Sequence, residues 1–130
     1  QKLWWIQEMI TRDDADKTIA GGYADVMIGH DAPFAPTIEA RIAKSKNMFP
    51  LVDLLYASEG RELMEEVVSK VMPHYFFHGH YHFKVDDVRT WDTGDETRVV
   101  GLDCDGSLDA FAILDLDSFQ AEHISQADVS

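Results

Sequence analysis

The clearest periodicity lies over 62–72. Leu63, Val67 and Val71 form one row and Met64, Val68 and Met72 the row beside it, with Glu62, Glu65, Glu66 and Lys70 outside, the one-sided spacing of an amphipathic helix. Pro73 ends it. Upstream, Phe49-Pro50 predicts a separate helical turn carrying Leu51, Val52, Leu54 and Leu55, since proline suits the first helical position. Thr37 is the expected cap of a short helix through Ile38 and Ile42, which residues 44–47 break. Thr11, followed by Asp13 and Asp14, predicts a first helix that runs through Ile19 and stops at Gly21-Gly22.

Among these helices, residues 23–28 read as a buried strand and 74–77 as a second. A further strand is expected over 83–91, and 97–102 and 109–115 are expected to pair as a hairpin around Asp105-Gly106. From about Ala121 the chain is polar and predicts a flexible tail over 121–130. Strand, helices, strand is the spacing of a right-handed crossover between parallel strands, which brings the residues just past 23–28 and 74–77 to one edge of the sheet. The class is α/β, a mixed sheet with an antiparallel C-terminal hairpin, in one domain over 1–130.

Chemistry concentrates at those strand ends. Three of the six histidines alternate at His78, His80 and His82 around Gly79. On an extended backbone they share one face, and imidazole is the commonest protein metal ligand. Gly79, lacking a Cβ, offers unusual backbone angles and close approach to the main chain. His30 follows the 23–28 strand, where the working residues of open α/β sheets sit. Asp103-Cys104-Asp105-Gly106 lacks the ligand spacing and terminal glutamate of a calcium loop and reads as a turn.

A 45% hydrophobic content is enough for a globular core. The formal charge of −13, with 11 scattered Lys and Arg, argues against nucleic acid as a general partner. Anionic substrates stay open if bound divalent cations supply the local positive charge. The single cysteine, Cys104, points to a reducing, cytoplasmic setting, and no apolar run reaches a membrane span. Trp4-Trp5 needs covering and suggests an upstream part that packs on it.

With His30 and Gly79-His80-Tyr81-His82 in place, the chain resembles the calcineurin-like metallophosphoesterases. That family feeds a dimetal site from an Asp-x-His, a Gly-Asp-x-x-Asp, a Gly-Asn-His-Asp/Glu, a lone His after a strand and a closing Gly-His-x-His. Residues 25–33 look like the lone-histidine motif and 77–82 like the closing one; the earlier motifs are absent. The resemblance spans nearly the whole chain but only the C-terminal half of the family domain, and it implies part of an α/β/β/α sandwich. It places His30 and His80 on one metal and His82 on the other; His78, which has no fixed role in the family pattern, and Asp31 are the candidates for places behind the ligands. It further implies two divalent ions (Mn²⁺, Fe or Zn²⁺) in the complete site, of which this piece holds one. The remaining ligands and the catalytic residues come from a missing N-terminal half or another copy of the chain, and the substrate is a phosphate ester. As substitutes for the absent ligands, Asp31, Asp86 and Asp87 have no support from spacing and read as solvated loop carboxylates.

Two functions compete. One is a metal-dependent phosphoesterase, weak or inactive as this piece alone; the other is a non-catalytic metal-binding or interaction module that docks a partner through Trp4-Trp5.

Overall fold

Thr11 opens α1 (Arg12–Ala20) with a reciprocal cap. Its Oγ1 accepts from the Asp14 amide at 3.1 Å, while its own amide donates to Asp14 Oδ2 at 3.0 Å, satisfying donors that every helix start leaves open. Gly22, at φ 88°, supplies the left-handed residue beyond the last turn. This is a computed structural model; it describes residues 9–45, 51–104 and 106–124. Trp4-Trp5, Phe49-Pro50, Asp105 and residues 125–130 lie outside the described residues.

The second helix, α2 (Pro36–Ser45), starts on proline, and its cap is a correction to expectation. Thr37 does not cap it. Its amide and hydroxyl donate instead to Asp87 Oδ2 and Oδ1, at 3.0 and 2.9 Å, so the negative charge favoured at a helix start comes from a distant strand. Downstream, α3 (Leu51–Val71) is one helix of 21 residues rather than two. The stretch 56–60 holds no proline, and its glycine is needed for packing, because a Cβ on Gly60 would lie 2.8 Å from Asp31 Oδ2. Met72 leaves the helix at φ 52°, and Pro73 forbids its continuation.

Four strands form the main sheet: β1 (Val26–Gly29), β2 (Tyr75–His78), β3 (Val85–Thr90) and β4 (Glu96–Gly101), in the order β1-β2-β4-β3. β1 and β4 run parallel to β2, while β3 is antiparallel to β4. A separate antiparallel hairpin joins β5 (Phe111–Asp115) to β6 (Gln120–Ile124). The expected hairpin of 97–102 with 109–115 therefore does not form. Thr97, Val99 and Val100 are all buried, so β4 is covered on both faces and takes a central place between β2 and β3. β5 folds back on β6 instead, and residues 121–124, expected to be flexible, are strand with Ala121 buried.

The two faces of the sheet bury different partners. Phe76 packs against Met64 and Val68 of α3, and Val85 and Val99 pack against Ile38 of α2. In the same helical layer, Val67 and Val71 close on Ala15 and Ile19 of α1. On the other face, Tyr75 and Val100 meet Ala112, Leu114 and Ala121 of the hairpin. β1 is an edge strand, and Ile28, expected to be buried, is 81% exposed. Among the described residues no helix is long and apolar enough to cross a membrane.

Candidate functional site

Because β1 and β2 run in parallel with Gly29 opposite His78, their carboxyl ends open at the same edge of the sheet. His30 follows directly on β1, and His80 lies two residues beyond β2. Their rings meet edge to face, with His80 Nδ1 2.9 Å from His30 Nε2. At that separation one nitrogen carries the proton and the other accepts it. Two nitrogen donors on one tetrahedral ion at ~2.0–2.1 Å stand roughly 3.3 Å apart. The pair therefore fits two positions of one divalent ion after a small opening.

The three alternating histidines do not share a face. β2 ends at His78, and the chain then enters a turn in which His80 and His82 both take left-handed angles, φ 70° and 59°. For residues with a Cβ that conformation costs about 1–2 kcal/mol each. Gly79, expected to supply the unusual angles, is not among the left-handed residues, and a Cβ there would meet nothing within 4 Å.

His78 points into the helical face and is almost wholly buried. Its Nδ1 lies 2.9 Å from the Gly79 carbonyl, which can only accept, so Nδ1 holds the proton. Nε2 is left buried with no hydrogen-bond partner among the described residues. Burial is the main cause that holds this imidazole below its ordinary pKa, which keeps it neutral. His82 is exposed, where its charge makes a minor contribution to lowering Asp103. Among the described residues no group of three or more His, Cys, Asp or Glu is disposed to hold a metal. The structure thus unites His30 with His80 and leaves His82 outside such a group.

Asp31, the residue after His30, accepts hydrogen bonds from its neighbours. Its Oδ1 takes the Ala32 amide at 2.8 Å and the Tyr81 hydroxyl at 2.5 Å. Tyr81 in turn stands edge-on to His80 and His78, with centroids 4.9 and 5.9 Å away. Burial first, and Asp31 second, push the Tyr81 hydroxyl well above its ordinary range, so it stays a proton donor. Behind it lies Arg61, buried, with Nε 3.2 Å from Glu39 Oε2 but too poorly aligned for a hydrogen bond.

Tyr81 and Arg61 escaped the sequence reading. The available signal was Gly60 inside a helix, a residue that costs helix stability and is compatible with a close approach. Asp86 and Asp87 are also not solvated loop carboxylates. Asp86 makes a forked pair with Arg98, at 2.8 and 2.9 Å, and Asp87 holds the start of α2.

No protein-family model matches this chain, and no curated protein gives a significant match to it.

Proposed function

We propose that this chain is the C-terminal half of a calcineurin-like metallophosphoesterase domain, which hydrolyses phosphomonoesters or phosphodiesters. The observation that carries this reading is the 2.9 Å approach of His80 Nδ1 to His30 Nε2 at the ends of neighbouring parallel strands. These are the two side chains that the resemblance assigns to a single ion. The layering of helices, mixed sheet and hairpin supports the same reading, since it supplies the α, β and β layers of an α/β/β/α sandwich. Two divalent ions (Mn²⁺, Fe or Zn²⁺), when bound in the complete site, supply a hydroxide nucleophile at neutral pH and neutralise phosphoryl oxygens.

This chain's own residues offer donors and hold them in place. His30 and His80 present nitrogens to one ion, and exposed His82 is the donor left for the second. A protein of charge −13 repels a phosphate ester, so attraction of that substrate rests on the cations. The remaining ligands belong to motifs absent from these 130 residues and come from another segment or another copy. A cytoplasmic setting goes with this reading, because one cysteine can close no disulfide within the chain. A non-catalytic metal-binding or protein-interaction module is the second reading, since only two of the predicted ligands, His30 and His80, are seen to meet among the described residues.

The test is calorimetric titration with Zn²⁺ and Mn²⁺, run beside hydrolysis of bis(4-nitrophenyl) phosphate. One ion per chain is expected, lost in His30→Ala and in His80→Ala, with slow Mn²⁺-dependent hydrolysis. Hydrolysis selects the phosphoesterase; binding without it fits either reading, because the phosphoesterase is expected to be weak or inactive as this piece alone. Absent binding, or binding untouched by both substitutions, overturns the metal site.

A further inference from the structure

Each histidine of the pair is followed by a residue that makes a second link between the same two loops. His30 meets His80, and Asp31, the next residue, accepts the hydroxyl of Tyr81, the next residue on the other side. We propose that Tyr81 is a positioning residue for the His30–His80 pair, acting through Asp31.

The backbone gives the reason such a device is needed. His80 and His82 both occupy the left-handed region, which their side chains disfavour, so something must hold the turn against relaxation. Tyr81 sits between them and is the residue tied down on every side. Its amide donates to the Gly79 carbonyl at 2.9 Å, its ring packs among His78, His80 and Phe83, and its hydroxyl ends on Asp31. Asp31 is itself fixed, because the Ala32 amide holds Oδ1 and the bare face of Gly60 leaves room for Oδ2 against α3. Position is therefore passed from Asp31, which lies close against α3, to Tyr81 and so to the ring of His80. Loss of the hydroxyl removes the side-chain link that ties this strained turn to the loop carrying His30.

The experiment reads the imidazole ¹⁵N signals of His30 and His80 in the metal-free protein, with Zn²⁺ affinity measured in parallel. The affinity arm rests on the metal-site reading; the ¹⁵N arm does not. In the intact protein one bonded nitrogen is protonated and its partner bare. Tyr81→Phe is expected to collapse that distinction into tautomer averaging and to weaken Zn²⁺ binding by roughly tenfold to a hundredfold, the range for partners behind a ligand. Asp31→Ala is expected to do the same, whereas Asp31→Asn keeps an acceptor oxygen and stays near the intact protein. If Zn²⁺ does not bind at all but the ¹⁵N change occurs, the positioning role stands and the metal reading falls. Ring signals unchanged in folded Tyr81→Phe overturn the proposal. Loss of the fold in both Tyr81→Phe and Asp31→Ala overturns it too, making the link one of stability alone.

Discussion

On its helical face the sheet buries Phe76, Val85 and Val99 completely against α2 and α3. The hairpin face is fastened differently: the Tyr75 hydroxyl donates to the Phe119 carbonyl at 2.8 Å, Arg98 Nη1 to the Ala121 carbonyl at 2.7 Å, and His123 Nε2 to the Gly101 carbonyl at 2.9 Å. Both faces bury apolar side chains, the larger fully buried ones on the helical side, and on the hairpin side three polar side chains that reach backbone oxygens add to that packing. The hairpin also covers only the middle of the sheet, since Ile28 on β1 and Val88 on β3 remain exposed. The helical side is therefore expected to set stability, and the hairpin side to be the weaker attachment.

Phe76→Ala is the strongest test of that contrast. Phe76 is fully buried between Met64 and Val68, so truncation is expected to cost about 3–5 kcal/mol, read from urea denaturation midpoints. Gly101→Ala comes next, because its new Cβ would lie 2.6 Å from His78 Cε1 and 2.7 Å from Val85 Cβ. Overpacking of this kind costs about 1–3 kcal/mol, and displacement of the His78 ring signals in NMR spectra is expected with it. Tyr75→Phe removes one of the hairpin's ties and is expected to cost about 0.5–1.5 kcal/mol. A loss from Tyr75→Phe as large as that from Phe76→Ala would break the contrast between the faces.

The smallest expected effect is also on the hairpin face. The hydrogen bonds from Arg98 hold the Asp86 carboxyl below its ordinary 3.8, so the folded state binds that proton less tightly than the unfolded chain. Its stabilisation is present above about pH 4 and is lost as acidity carries the folded carboxylate through its own lower pKa. Both partners reach solvent, with side chains 28% and 38% exposed, so screening reduces the contribution to about a few tenths of a kcal/mol. Asp86→Asn is expected to lose that increment at neutral pH and to flatten the pH dependence below about pH 4, measured by denaturation midpoints against pH.

The same contrast explains what could be read from the residues in order. The rows Leu63-Val67-Val71 and Met64-Val68 were legible because helical burial is periodic over a few residues, and they do face α1 and Phe76. The meeting of His30 and His80 was legible because parallel pairing of two apolar strands fixes which ends coincide. The partner of β4 was not legible, since an Asp-Gly turn beside an alternating strand gives a local hairpin signal that the burial of β4 on both faces overrides. Nothing local marks His80 and His82 as left-handed, because neither is glycine and the restraint comes from Tyr81 and Asp31. Arg61 and the Asp87 cap were hidden for the same reason: their partners are distant in sequence.

The tie from Thr37 to Asp87 bears on the order of folding. Fifty residues separate the first turn of α2 from the carboxylate that accepts its amide, and such contacts form late, because the closure entropy of the intervening chain must be overcome before they contribute. α1 carries its cap within its own sequence, at Thr11 and Asp14, whereas the cap of α2 is supplied only when β3 docks. The arrival of that one strand thus completes the sheet and the helix in a single cooperative event.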